Sequence, residues 1–104
     1  MNFTITRKQD KLYVFVSGEI DHHNAALIRE SVDIEIKRTK TKELVFDFSQ
    51  LEMMDSSGIG ILMGRLKLMQ QTGGRTVVSG APEYIEKIIN LSGLGSLVEI
   101  RKGA

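Results

Sequence analysis

Three polar clusters in this 104-residue chain carry side chains able to do chemistry. Asp55-Ser56-Ser57-Gly58-Ile59-Gly60 sets one carboxylate and two hydroxyls ahead of an apolar run at helical spacing. Gly18-Glu19-Ile20-Asp21-His22-His23-Asn24 sets a carboxylate beside two imidazoles, and Asp47 interrupts Leu44-Val45-Phe46-Asp47-Phe48. The one catalytic assembly these allow is a hydrolase triad, with Ser57 as nucleophile, His22 or His23 as base, and Asp21 or Asp47 as orienter. Against it, Ser57 lies outside a Gly-x-Ser-x-Gly elbow and no oxyanion-hole loop accompanies it. Two histidines with no third and no cysteine fall short of a zinc site. The expectation is a non-enzymatic protein without metal or cofactor.

The same Asp55-Ser56-Ser57 run is also helix-capping chemistry, because a short polar side chain there accepts from the free amides of a first helical turn. Capping explains one acid or hydroxyl. It does not explain Gly58 and Gly60 just behind, each costing about 1 kcal/mol relative to Ala in a helix. Two such glycines imply close approach of another backbone, a ligand or a partner.

Bulk composition narrows the classes. Fourteen Lys and Arg against thirteen Asp and Glu give a formal charge of +1, without the basic excess of a dedicated nucleic-acid binder. The cluster Lys37, Arg38, Lys40 and Lys42 reads as a solvated helix end, where cations offset exposed carbonyls. No cysteine means no disulfide framework, thiolate metal site or thiol nucleophile, which fits a reducing compartment. The first residues lack the continuous apolar core of a signal peptide, and no stretch approaches the ~20 apolar residues of a membrane span. A single domain over residues 1–104, cytoplasmic, with neither membrane nor direct nucleic-acid contact, is expected.

The elements that must position the polar clusters follow from periodicity. Phe3 and Ile5 alternate with Thr4 and Thr6, and Leu12 to Val16 is rich in β-formers, so two antiparallel strands joined by a tight turn are expected. Gly18-Glu19-Ile20-Asp21 breaks that pattern. Ala25, Ile28, Val32 and Ile36 then recur at helical spacing from about Asn24 to Arg38, with Asp21 or Asn24 as the N-cap. Leu44 to Phe48 has the near-continuous apolar character of a central parallel strand. A second helix is expected from about Ser57 to Thr72, ended by Gly73-Gly74. Thr76 to Ser79 reads as a strand, Pro82 to about Leu91 as a third helix, and Leu97 to Ile100 as a last strand. The order β-β-α-β-α-β-α-β implies an α/β fold with a mixed, mostly parallel sheet, right-handed crossovers and an antiparallel N-terminal edge strand.

On a helical wheel, Ile59, Leu62, Met63, Leu66 and Met69 fall in one broad stripe, expected to be the buried face of the second helix. Ile61, Gly64 and Leu68 fall on nearly the opposite side, with Ser57 at their head and Ser56 near the stripe's edge. That second strip suits an approaching partner. It equally suits packing against a minor strip of the first helix, Leu27, Ser31 and Ile34.

At Gly18 to Ala25 and Met54 to Gly60 the sequence resembles the STAS-domain anti-sigma factor antagonists, most closely the sporulation type opposing the anti-sigma-F factor. The likeness runs from Phe3 to about Arg101 and takes in Leu62-Met63-Gly64-Arg65, Val77-Val78 and Leu91-Ser92-Gly93-Leu94. It implies that the second serine of the motif, Ser57, is phosphorylated by the anti-sigma factor, itself a serine protein kinase, and dephosphorylated by a PP2C-type phosphatase. The partner-binding set is then expected to be Asp21, Asp55, Ser56, Ser57, Gly58, Ile61, Gly64 and Leu68. Phosphate at Ser57 would block binding, and the unphosphorylated chain would free a sigma factor. The readings set against this are a small anion- or nucleotide-binding regulatory domain, which lacks any phosphate-loop fingerprint, and an interaction scaffold without a switch.

Overall fold

The computed structural model describes residues 2–38 and 40–103. Strands β1 (Phe3–Lys8) and β2 (Lys11–Ile20) form an antiparallel hairpin, with Phe3 opposite Val16 and Lys8 opposite Lys11. Helix α1 (Ala25–Arg38) leads to β3 (Glu43–Met54), α2 (Ser56–Gln71) to β4 (Arg75–Ser79), and α3 (Glu83–Leu91) with a 3-10 turn (Leu94–Ser96) to β5 (Glu99–Arg101). The five strands lie side by side in chain order, and every pair after the first is parallel. This is the mixed, mostly parallel α/β sheet with an antiparallel edge strand that the element order implied.

Strand parity decides what each sheet face does, because successive side chains alternate between faces. Leu12, Val14, Leu44, Phe46 and Val78 share one face and are fully or almost fully buried. They form one core with Ile28, Val32 and Ile36 of α1, Leu62, Leu66 and Met69 of α2, and Ile85 and Ile89 of α3. All three helices therefore feed the same core. At about 25 cal/mol per Å² of apolar surface, this burial is the dominant favourable contribution to the fold.

The opposite parity carries Val45 and Val77, which are buried yet stand outside that core, and a row of charges. The Glu43 carboxylate, almost wholly buried, lies 2.8 Å from Arg101, 3.5 Å from Lys11 and 3.8 Å from Arg75. Its Oε1 has no aligned hydrogen bond, so the Arg101 contact is a charge pairing rather than a directed bond. Long aliphatic stems ending in charge suit this role, covering apolar surface while the head group stays in water.

Four boundaries differ from the sequence reading. Strands β2 and β3 do not stop at Val16 and Phe48 but run on to Ile20 and Met54. The register shifts between Phe15 and Ser17 and between Gly18 and Glu19 each place an extra residue in β3, whose buried positions step from Phe48 to Leu51 to Met54 and escape a period-two test. Strand β2 keeps its parity to Ile20 but is interrupted in the sequence by Gly18. The last strand is Glu99–Arg101 rather than Leu97 to Ile100, because Leu97 closes the 3-10 turn with its N–H on the Leu94 carbonyl. The N-terminal stop of α3 shifts by one residue, with Pro82 at the cap position.

The buried face of α2 is also rotated by roughly a quarter turn from the expected stripe. Gly58, Ile61, Leu62, Arg65, Leu66 and Met69 are buried, whereas Met63 is 41% exposed and Ile59 only half-buried. The minor strip of α1 does not pack on α2 as one alternative required, since Leu27 and Ile34 are exposed. The helices meet instead through Arg65, whose Nε lies 2.9 Å from Asp33 Oδ1.

The two glycines at the head of α2 divide in purpose. A Cβ on Gly58 would collide with the Met54 side chain and reach within 3.5 Å of Ile20, whereas one on Gly60 would meet nothing within 4 Å. Gly58→Ala should therefore lower stability by about 1–3 kcal/mol through overpacking, and Gly60→Ala should raise it by about 0.5–1 kcal/mol through helix propensity. Urea denaturation of the two variants reads both signs. Glu43→Ala should cost about 1–2 kcal/mol, less than a fully buried pair, because the cations it strands are exposed enough to rehydrate; the same measurement applies.

Candidate functional site

The site is built where β2 and β3 end. Ile20 pairs with Met54, and the next residue in each chain is an aspartate, so Asp21 and Asp55 leave neighbouring strands side by side. The Asp55 N–H donates to the Ile20 carbonyl at 3.1 Å, tying the two exits together. Loops at the carboxyl ends of parallel strands are where α/β sheets gather their functional groups.

Each aspartate organises the turn that follows it. Asp55 is the N-cap of α2, in extended conformation, and its Oδ1 accepts from the Ser57 N–H at 2.8 Å. Asp21 Oδ1 accepts from the N–H groups of His23 at 2.8 Å and Asn24 at 3.2 Å. Those bonds, the His23 one foremost, hold the Asp21 carboxyl below its ordinary pKa; partial desolvation opposes them, and the nearby His23 and His22 add to the lowering. Asn24 returns the bond through its Oδ1 to the Asp21 N–H at 2.9 Å and donates to the Glu19 carbonyl at 2.8 Å. Of the two candidate caps for α1, Asp21 accepts the amides and Asn24 braces the loop. Asn2 adds two further braces, donating to the Ser17 and Glu19 carbonyls at 2.8 Å each.

The expected partner-binding residues separate into two groups. Asp55 and Ser56 are exposed, and Asp21, Ser57, Gly64 and Leu68 are half-buried at the surface. Ile61 and Gly58 are not available to a partner: Ile61 is only 3% exposed, and Gly58 is covered by Met54. Leu68 spends part of its surface on the core. The wheel misplaced Ile61 because its stripe was centred on Ile59, when the helix is seated about the Gly58, Leu62 and Met69 line.

In their place the fold exposes Met53, which the sequence reading left without a role, and Met63, which it assigned to the buried stripe. Met53, 54% exposed, sits at the end of β3 on the side away from buried Met54, and Met63 lies two turns into α2. Gly60 and Gly64 leave open space between them and Ser57 on the outward arc of α2. Strand alternation from Met54 back to Met53 would have found the first, had β3 been recognised to run that far.

The hydrolase arrangement is not assembled. Asp47 accepts from the Ser49 N–H at 3.0 Å and its hydroxyl at 2.6 Å, on the sheet face away from the helices. Asp21 is engaged by backbone amides, with the His23 ring nitrogen 3.7 Å away. His22 and Ser57 do share a cleft of about 340 Å³, with Arg29 and Arg65 on its other sides. This is an environment for an anion rather than a charge-relay line.

Comparison with known proteins bears on the whole chain. The anti-sigma F factor antagonist of Paenibacillus polymyxa is 34% identical over 102 residues, covering 96% of this chain and 87% of that protein. The unphosphorylated form of the anti-sigma factor antagonist SpoIIAA superposes with a TM-score of 0.89 at 26% identity, over 98% of this chain and 88% of the other. The phosphorylated form of the Bacillus cell fate determinant SpoIIAA gives a TM-score of 0.81 at 26% identity, over 98% and 91%. Residues 2–103 match the STAS domain along their full length, and the chain belongs to the STAS family.

Proposed function

We propose that this protein is an anti-sigma factor antagonist, a regulatory and non-catalytic domain of the cytoplasm switched by phosphorylation at Ser57. Unphosphorylated, it binds an anti-sigma factor that is also a serine kinase, and the sigma factor held by that partner is freed. In the reset cycle the kinase transfers the γ-phosphoryl group of ATP to Ser57 Oγ, ADP leaves, and the hydroxyl proton passes to the kinase's base. A PP2C-type phosphatase hydrolyses the ester and restores the binding form.

The observation that carries this reading is the position of Ser57. Its backbone is fixed by the Asp55 cap, its side chain reaches the surface, and it stands at the junction of two acidic loops locked to the same strand pair. Relatives of the same fold are known in both phosphorylated and unphosphorylated forms, which supports a modification the domain survives. Exposed Met53 and Met63 and the open ground over Gly60 and Gly64 supply the apolar, close-approach surface that docking needs.

Charge then acts as the gate. A phosphate adds about −1.5 to −2 charges where Asp21 and Asp55 already stand. A partner surface complementary to those acids but without room for the phosphate loses contact, and one like-charge contact at about 4 Å costs on the order of 4 kcal/mol at a surface-like dielectric. Even part of that cost exceeds a hundredfold in affinity, which is about 2.7 kcal/mol.

Incubation with the kinase and ATP should add a single phosphate by intact mass, retained in Ser56→Ala and lost in Ser57→Ala. Calorimetric titration should show Ser57→Asp binding the kinase at least about a hundredfold more weakly than wild type. Undiminished affinity of both Ser57→Asp and the phosphorylated protein would remove the switch. Gly60→Ala should weaken the same binding by about tenfold while the free domain becomes more stable, separating contact from folding.

A further inference from the structure

The cleft beside Ser57 has a composition that docking does not require. Its polar lining is His22, Arg29, Ser57 and Arg65, and its remaining walls are small or apolar, including Ala26 and Gly60. Among the described residues no carboxylate lines it, although Asp21, Asp33 and Asp55 all lie close in sequence or pairing to residues that do. Arg65 is 8% exposed, and its Nη1 donates to the Ile61 carbonyl at 3.5 Å. Its Nε and Asp33 Oδ1 are 2.9 Å apart, yet neither finds an aligned hydrogen-bond partner. The guanidinium is thus held by charge more than by directed bonds.

Two guanidiniums share this corner with one paired carboxylate. Burial lowers the Arg65 pKa, Asp33 partly restores it, and the proximity of Arg29 lowers it further. Arg29 is itself exposed at the rim. An excess of positive charge has therefore been gathered in a roofless pocket that opens onto one hydroxyl. Asp55, whose Oδ1 accepts from the Ser57 N–H, does not line the cleft, so its charge disfavours an anion outside it.

We propose that this cleft is the seat of the phosphoryl group once Ser57 is modified, with Arg29 at its mouth, Arg65 at its wall and His22 at its edge acting as donors to the phosphate oxygens. The domain thus receives its own phosphoserine. Charge-assisted bonds from arginine to phosphate are among the strong hydrogen bonds available to a protein, and a fork of guanidinium donors fixes the group's direction. The phosphorylated state is then one ordered surface rather than a swinging dianion: it presents fixed negative charge and withdraws Arg29 from any partner. Small residues at Ala26 and Gly60 leave room for the added group without displacing the helices.

The inference rests on Ser57 being the modified residue, so the test bypasses the kinase. Phosphoserine is encoded genetically at position 57 in the full chain, and at position 56 in a control, and thermal unfolding is followed at low ionic strength. Ser56 and Ser57 both head α2, so a general attraction to the helix dipole acts on both. Phosphate at 57 should raise Tm by about 4 °C or more, and phosphate at 56 by less than half as much. Arg29→Gln should remove at least half of the gain at 57 while moving the unmodified protein by no more than about 1 °C, since Arg29 is exposed. An equal gain at 56 and 57, no gain at 57, or a gain at 57 indifferent to Arg29→Gln would each overturn the seat. Those outcomes leave the kinase reaction standing, whereas failure of the kinase to label Ser57 strikes at the switch and leaves this measurement unaffected.

Discussion

The parallel pairing of the second halves of β2 and β3 is the constraint on which the rest depends. Where Ile20 meets Met54, two chain segments separated by a whole helix are brought to one edge, and each continues as an aspartate that starts the next turn. Everything chemical about the site is downstream of that register. Sliding β3 by one residue would exchange Met53 with Met54, bury the exposed methionine and throw the Met54 side chain off Gly58. The bulges that absorb the register shifts after Phe15 let the strands twist and still arrive together.

That junction also explains which parts of the molecule were legible in the sequence. The hairpin and α1 follow from short-range patterns with one buried face each, β4 from a short continuous run buried on both, and Ile28, Val32 and Ile36 recur as the helical period requires. The ends of β2 and β3 are not legible in that way, because bulges in β3 reset its alternation and Gly18 between polar Ser17 and Glu19 makes the end of β2 read as a turn. The seating of α2 is hidden for a different reason. Its sequence is apolar nearly all round, Ile59, Ile61, Leu62, Met63, Leu66, Leu68 and Met69 being spread over most of the wheel, so hydrophobicity alone does not choose a face. What chooses it is a pair of non-apolar residues: Gly58, which alone lets α2 settle onto Met54, and Arg65, which is drawn inward to Asp33. A buried arginine is the last residue a wheel would assign to a core face, yet here it fixes one. The motif serine was legible through its cap and its resemblance; the cationic cleft beside it was not, because Arg29 and Arg65 come from different helices.

The sheet's two faces divide the work of stability. One face carries the shared core of three helices. The other is a narrow apolar strip, Val45 and Val77, beneath an ion network centred on Glu43. Mixed charge over an open parallel sheet removes the need for a second layer of helices, which such sheets commonly have. Because all helices lie on one side, the carboxyl ends of the strands carry both helix starts, α1 and α2, without a competing element above them. The site is accessible because the fold is two layers deep.

The switch proposed above has to change what a partner meets while leaving the domain folded. The α2 N-terminus satisfies the second requirement in advance. Its amides already serve one carboxylate, that of Asp55, and a phosphate arriving at Ser57 finds positive helix ends and arginines rather than buried apolar surface. The core lies on the far side of α2, beneath Leu62, Leu66 and Met69, and senses none of this charge directly. A charge added there leaves the packing of the core undisturbed, and its energy acts at the surface. Had the hydroxyl stood on the Leu62 side of the helix, the same phosphate would have opened the core, and the signal would have been the loss of the protein rather than the loss of its partner.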